Sequence, residues 1–362
     1  MIVGSASENI EIEKRVAITP DVVKKYNSLG IKINITKNYA THLGISDEEF
    51  KIEGANILNN DDEVILNSNA ILQMNLPNEQ NLKKLKENQI LIGVLNPYNN
   101  ESKLKVLISK KVNCFSLDLL PRITRAQSMD ILSSQANLAG YKAVVDSFSY
   151  FQKAIPMMMT AAGTISAAKV LVVGAGVAGL QAIATAKRMG AIVFATDVRL
   201  ASKEQVESLG GKFLTVEGAE NLETDGGYAK EASDNFKQKQ EQLLRETLMK
   251  IDIVICTALI PGKKAPIIIK KDMIDAMPSG SLIYDLAASQ GGNAELTKVD
   301  EIVKFNGVKL MGESNILNKL PVSASNLYAK NMFNFVNNLF DNEKKNFEIN
   351  LKDEIIEKTM VK

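Results

Sequence analysis

Gly174, Gly176 and Gly179 stand in the run KVLVVGAGVAGLQAIATAKRMG, and Asp197 ends the next apolar run, AIVFATD. A G-x-G-x-x-G spacing alone is weak. Here it directly follows an apolar stretch with strand character, Val170 to Val173, and opens a helical one. Gly174 permits a tight turn, Gly176 lets the backbone approach a pyrophosphate, and Gly179 lets the helix pack closely on the strand. The helix start at Val177 and Ala178 then offers unpaired N–H groups and a positive dipole end to phosphates. Asp197 follows the glycines by about 20 residues, the distance at which a carboxylate accepts from the adenosine ribose hydroxyls. It also repels a 2′-phosphate, which favours NAD(H) over NADP(H). Arg199, separated from it by Val198, is placed to greet a 2′-phosphate and leaves that preference open.

Other polar groups fall where such a fold would use them. TALIPGKKAP, carrying Ala258 and Leu259, ends a strand-like run, DIVICTAL, and DLAASQGGN brings Gln290, Gly291, Gly292 and Asn293 to the end of the next. Ligands of open α/β sheets bind outside the carboxyl ends of strands, although Pro-Gly and Gly-Gly are also ordinary turn chemistry. DGGYAKEAS, with Gly227 and Tyr228, has paired glycines and one ring in a polar setting, as a closing loop or a solvated linker would.

The elements that must position these groups alternate along the chain. From Met1 to about Pro121 short strands and helices follow each other, and a second alternating series starts at Lys169. Strand and crossover helix in turn predict parallel sheets with helices on their faces. Two helical stretches are unusually long, Ser128 to Lys153 and Ser323 to Phe340. The expectation is an α/β chain of two Rossmann-like domains with parallel sheets. The central one, 131–319, is inserted into a first one made of 1–130 and 320–362, with the long helices as crossovers.

Composition narrows the function. Basic and acidic side chains number 43 and 42 in 362 residues, a net charge of +1, so no general attraction to nucleic acid or anionic lipid is expected. No apolar run approaches about 18 residues, and the N-terminus lacks the basic-then-apolar order of a secretory signal. A cytoplasmic chain that meets a membrane only through a partner is the reading. Cys114 and Cys256 lie in apolar runs and are expected buried and reduced. His42 is the single histidine, in a loop-like stretch remote from the motifs, and a metal site is not expected from so few His and Cys.

PRITRAQSMDILSSQANLAGYKAV, PMMMTAAGT, VAGLQAIATAKRMGA, KEQVESLGGKF, DGGYAKE and TALIPGKKAP together resemble the NAD(H)-binding first domain of the proton-translocating NAD(P) transhydrogenase family. The likeness covers nearly the whole chain and is strongest from Pro121 to Asn293. It implies direct hydride transfer from NADH on this chain to NADP⁺ on another polypeptide, coupled to proton translocation. It further implies a homodimer and two partners, a membrane-spanning second alpha subunit and an NADP(H)-binding beta subunit. The chain would then be peripheral to the inner membrane, looking like the separate soluble piece of a split alpha chain. On the family's pattern, Arg122, Asp130 and Ser133 contact the nicotinamide end, Gln127 reaches toward the second nucleotide, and Tyr228 is the tyrosine of a mobile loop. Hydride transfer between two held rings asks for such positioning groups and for no proton donor. Without the family, RITRAQSMDILS reads as a polar helix start capped by Ser128 or Thr124.

The related alanine dehydrogenases are the natural alternative, since they are similar in both N-terminal domains but must manage a proton. At the positions of their lysine, histidine and aspartate this chain carries Asn75, Asn96 and Ser289. Arg15 matches their substrate-carboxylate arginine, yet with Glu13 beside it a structural ion pair is an equal reading. A non-catalytic NAD(H)-binding protein is the third possibility.

Overall fold

A computed structural model describes residues 1–216, 234–260 and 262–362. Contacts divide the chain into two units, Met1–Gln135 with Leu317–Lys362, and Ala136–Ile316. Both chain ends therefore belong to the first unit.

Six strands build the sheet of the first unit: β1 (Ile2–Ser5), β2 (Lys32–Thr36), β3 (Ala55–Leu58), β4 (Ala70–Asn75), β5 (Ile90–Val94) and β6 (Asn113–Ser116). Their order is β3-β2-β1-β4-β5-β6 and every pair is parallel. A parallel sheet is covered on both faces, which is why the central strands read as continuous apolar runs. The helix Pro321–Leu339 starts with proline, whose fixed φ suits a first turn, and spaces Tyr328, Met332, Phe335, Val336 and Leu339 along one face. That face joins Val3, Ile33, Ile35 and Leu72 in one core.

The second unit holds a small hairpin of β7 (Met158–Thr160) and β8 (Gly163–Ile165), and a seven-stranded sheet. Its strands are β9 (Lys169–Val173), β10 (Ile192–Thr196), β11 (Lys212–Phe213), β12 (Ile253–Cys256), β13 (Leu282–Asp285), β14 (Ile302–Phe305) and β15 (Val308–Gly312), in the order β11-β10-β9-β12-β13-β15-β14. The order reverses between β9 and β12, the switch point at which open sheets bind ligands. Its strands are parallel as expected except at one edge, where β14 runs antiparallel to β15. The cause is legible in the sequence. Phe305 pairs with Val308 across Asn306-Gly307, both with positive φ (46 and 83), the backbone that a two-residue primed turn demands and that Asn-Gly supplies.

The long helices run Ile131–Tyr150 and Pro321–Leu339. Cys114 and Cys256 are free thiols in buried positions, and burial pushes Cys114 up to about 12 and Cys256 well above the ordinary thiol range. Among the described residues no helix is long and apolar enough to cross a membrane.

Gly140 lets the helix Ile131–Tyr150 meet the helix Val177–Arg188 at backbone distance, since a Cβ there would stand 2.0 Å from the Ala178 carbonyl oxygen. Alanine favours a helix interior over glycine by about 1 kcal/mol, but this contact has no room for it. Gly140→Ala is therefore expected to lower stability by roughly 1–3 kcal/mol, measured by urea unfolding; a stabilised variant contradicts the packing described.

Candidate dinucleotide site

The turn after β9 is built from three glycines in three different environments. Gly174 has φ +92, a left-handed backbone that only glycine adopts cheaply. A Cβ on Gly179 would lie 1.9 Å from the Gly174 carbonyl oxygen, so the helix folds directly back on the turn. On Gly176 a Cβ would meet nothing within 4 Å. That open face lies where the helix Val177–Arg188 begins, with Gly176 as its cap and no capping side chain. The first helical bond is Leu180 N–H to the Gly176 carbonyl, so the N–H groups of Val177, Ala178 and Gly179 precede the helical ladder. Such a helix start favours an anion by hydrogen bonding and by its dipole. The residues present therefore fit a pyrophosphate.

Asp197 is fixed to the same turn. Its Oδ2 accepts from the Ala175 N–H at 2.7 Å and from Arg199 Nη2 at 2.7 Å, while Oδ1 accepts from Arg199 Nε at 2.8 Å and from the Arg199 N–H at 2.9 Å. Burial works to raise this carboxyl, but the Arg199 and Ala175 hydrogen bonds and the Arg199 charge outweigh it and hold it below the usual range. Asp197 is thus an ionised acceptor at the end of β10, beside Val198.

Across the switch point, Thr257 Oγ lies 3.1 Å from the Val173 carbonyl oxygen and 2.9 Å from that of Gly174, tying the end of β12 to the glycine turn. Asn293 is fully buried and its amide is committed within the chain. Oδ1 accepts from the Ala258 N–H at 3.0 Å, and Nδ2 donates to the carbonyls of Ala258 at 2.8 Å and Pro266 at 2.9 Å. Asp285 holds Asn293 in turn, accepting from the N–H groups of Ala287, Asn293 and Ala294 and from Thr297 Oγ. Asn293 therefore sets the backbone at Ala258, next to the exposed Leu259, rather than presenting its own amide. Thr257, Asp285 and Ala175 escaped sequence reasoning. A buried Asp in the run LIYDLAASQGGN was the available signal for one of them.

In the first unit, the polar run forms a short 3-10 helix, Thr124–Met129, before the helix Ile131–Tyr150. Neither Ser128 nor Thr124 caps that long helix, as the plain reading expected. Asp130 does so, accepting from the Ser133 N–H at 2.9 Å and from Ser133 Oγ at 2.5 Å. Arg122 and Gln127 are exposed, whereas Asp130 and Ser133 are half-buried. Gly227, Tyr228 and Pro261 lie outside the described residues.

At the ends of β1 and β4, Arg15 forks onto Glu13. Nε lies 2.8 Å from Oε1 and Nη2 2.7 Å from Oε2, and Nη1 donates to Gln135 Oε1 at 2.9 Å. Burial opposes ionisation of Glu13, and the Arg15 contacts overcome it, so this carboxyl sits below its ordinary value. Asn75 donates to the same carboxylate at 3.0 Å. Glu8 accepts from the Met74 N–H at 2.7 Å and Gln73 Nε2 at 3.1 Å, and burial pushes its carboxyl up to about 7. Asn96 is exposed with φ +46 and Ser289 is exposed in the second unit. His42 is not remote from these motifs: its Nε2 lies 2.8 Å from the carbonyl oxygen of Lys14. Among the described residues no His, Cys, Asp and Glu group could hold a metal ion.

Two family models match the chain, alanine dehydrogenase/PNT N-terminal domain over residues 4–139 and alanine dehydrogenase/PNT C-terminal domain over 143–362. The chain is 45% identical over 356 residues to the first segment of NAD(P) transhydrogenase subunit alpha of Rhodospirillum rubrum, covering 96% of this chain and 93% of that one. The corresponding segment from Rickettsia prowazekii is 42% identical over 365 residues, covering 100% and 94%. The solved transhydrogenase of Sinorhizobium meliloti superposes with a TM-score of 0.90 at 41% identity, covering 99% of this chain and 98% of that one.

Two outcomes test this geometry. Asn293→Ala leaves the Ala258 N–H and two carbonyls without their partner, so stability should fall by roughly 1–3 kcal/mol in urea and NADH binding should weaken; unchanged binding and stability would remove Asn293 as a positioning group. For Glu8 the folded state holds its proton up to about pH 7, while an ordinary glutamate releases it near 4.5. Stability should therefore fall as pH rises between those values and then level. Glu8→Gln keeps the acceptor and loses the titration, so its melting temperature should exceed that of the parent at pH 8 but not at pH 5.

Proposed function

The chain belongs to the alanine dehydrogenase/PNT family as a transhydrogenase component, and from that premise we propose that it is the NAD(H)-binding component of a proton-translocating NAD(P) transhydrogenase. Hydride passes directly between NAD(H) held by this chain and NADP(H) held by a partner subunit, coupled to proton translocation across the membrane. When bound, the dinucleotide supplies the hydride from C4 of its nicotinamide ring. The chain's own residues bind and orient.

The observation that carries the reading is the engagement of Arg15. Its Nε and Nη2 are taken by Glu13 and its Nη1 by Gln135, and Asn75 is bonded to the same Glu13. Three of the five N–H donors of the arginine that an oxo-acid enzyme of this family would turn toward a substrate carboxylate are engaged inside the protein. The second unit carries a dinucleotide turn with an open face at Gly176. Hydride transfer between two nicotinamides needs no proton donor, only near-contact geometry.

In this assignment Gly174, Gly176, Val177, Ala178 and Gly179 receive the pyrophosphate. Asp197, Val198 and Arg199 receive the adenosine ribose, and Gly227, Ala258, Leu259 and Asn293 line or position the remainder. Arg122, Asp130 and Ser133 hold the nicotinamide end, Gln127 reaches toward the second nucleotide, and Tyr228 excludes water. A second copy of this chain, a membrane-spanning second alpha subunit and an NADP(H)-binding beta subunit complete the complex. The chain is cytoplasmic, bound to the inner membrane face through them.

Reconstitution with the two partner subunits tests this. NADH should reduce an NADP⁺ analogue in the assembled complex, and Gln127→Ala should slow that transfer by roughly tenfold or more while NADH binding persists. No transfer in a complete complex sinks the proposal. Oxidation of L-alanine by the purified chain with NAD⁺ would favour the alanine dehydrogenase alternative.

A further inference from the structure

The run that carries Gln127 is a three-sided helix. Side chains of a 3-10 helix eclipse at i and i+3, so Thr124–Met129 presents three rows. Ala126 and Met129 are buried in the core of the first unit. Thr124 and Gln127 are exposed. The third row, Arg125 and Ser128, is tied to the C-terminal part of the chain. Asn331, Asn334 and Asn338 stand at i, i+3 and i+7 on one face of the helix Pro321–Leu339. Asn331 Nδ2 and Asn334 Nδ2 donate to the Ser128 carbonyl at 2.8 and 2.9 Å, filling an oxygen at a helix end, where carbonyls lack intrahelical partners. Asn331 Oδ1 also accepts from Ser134 Oγ at 2.7 Å.

Asn338 serves Arg125. Its Oδ1 accepts from Arg125 Nη1 at 3.4 Å, and its Nδ2 donates to Asp353 Oδ2 at 3.2 Å. Arg125 forks onto that carboxylate, with Nη1 lying 2.9 Å from Oδ2 and Nη2 bonded to Oδ1. Gln127 is therefore gripped on both sides in sequence, at Arg125 and at Ser128. Asparagine is a poor helix former because its amide competes for backbone groups, and here that competition is aimed at another segment. Another face of the same helix buries Tyr328, Met332, Phe335 and Val336, so the asparagine row stands on an element that packing fixes. The Arg125 side chain is 55% exposed, and exposed ion pairs add little stability. A bidentate fork adds geometric definition instead.

We propose that Asn331, Asn334 and Asn338, with the Arg125–Asp353 fork, are positioning residues of hydride transfer: they set where Gln127 stands toward the second nucleotide, and NAD(H) affinity does not depend on them. The inference rests on the transhydrogenase reading given above. Transfer between two held rings is steep in geometry, and a displacement of about 1 Å can cost about 10²-fold in rate. The glycine turn that receives the dinucleotide belongs to the second unit and contains none of these groups.

In the complex reconstituted with both partner subunits, single-turnover reduction of thio-NADP⁺ by saturating NADH reads the transfer step, and NADH fluorescence reads binding. The double variant Asn331→Ala, Asn334→Ala should slow transfer by roughly tenfold or more with the Kd for NADH unchanged. Arg125→Gln should slow it in the same direction, and Asn337→Ala, an exposed amide on the same helix, should not. In a Gln127→Ala background the double substitution should add little, because groups that act through one another are not additive. A role in folding alone would lower the melting temperature and leave the transfer rate of the folded complex as it was. If the double variant does not fold, judged by circular dichroism, Arg125→Gln with and without Gln127→Ala carries the same comparison. Overturning results are folded variants that transfer at the parent rate, a loss confined to the Kd for NADH, or a full loss repeated in the Gln127→Ala background. A parent complex that transfers no hydride overturns the transhydrogenase reading itself, so the two failures are distinct.

Discussion

The contact on which the second unit depends is the one between Gly179 and the Gly174 carbonyl, where a single Cβ would stand 1.9 Å from the oxygen. It forces the chain leaving β9 to turn at once and start its helix at the sheet edge. Everything else at the edge is fastened to that turn. The Thr257 hydroxyl lies within hydrogen-bond distance of the Gly174 and Val173 carbonyls from β12, and Asp197 from β10 takes the Ala175 N–H. Neighbouring strands thus pin one short loop from both sides, and its pinned backbone is what a ligand would meet. Preorganised donors of this kind bind without first having to be ordered.

The two units share one local device. In each, an acid, one intervening residue and an arginine close a fork with the same bonds, Glu13 with Arg15 and Asp197 with Arg199. Sequence separation alone thus generates the geometry, and the surroundings decide its consequence. Around Arg15 the remaining nitrogen is taken by Gln135, whose own Nε2 donates to the Ala324 carbonyl, and the acid is shared with Asn75. That fork is locked into the long helices. At Asp197 the other partner of the carboxylate is the backbone N–H of Ala175 in the glycine turn.

Much of this was legible in the sequence, for reasons that differ by feature. The glycine turn and Asp197 could be read because only glycine tolerates φ +92 or a 1.9 Å approach, and such constraints leave a mark at fixed spacing. The alternation that predicts two parallel sheets was equally plain. The antiparallel β14 is not part of that alternation, and the local signal for it is Asn306-Gly307, the two residues between Phe305 and Val308. Asp130 as the helix cap was hidden among four polar neighbours able to cap, and only geometry selects between them. Asn293 shows the opposite limit. Its position at a strand end suggests a ligand contact, but whether an amide faces outward or binds three backbone groups is decided by long-range packing that no local pattern records.

The polar run before the helix Ile131–Tyr150 combines a fixed backbone with exposed side chains. Asp130 and Ser133 are bonded to each other, and Asn331 and Asn334 both donate to the Ser128 carbonyl, so the backbone around Gln127 is held from several sides. Gln127 itself is exposed, with no side-chain hydrogen bond among the described residues. A rigid frame that leaves one amide facing solvent is a poor use of a buried core but a sound way to present a group to another molecule, because little side-chain and backbone freedom remains to be lost on contact. The same logic separates the roles along the run. Residues that complete their hydrogen bonds internally set the frame on which the exposed Thr124, Gln127 and Ser128 are carried.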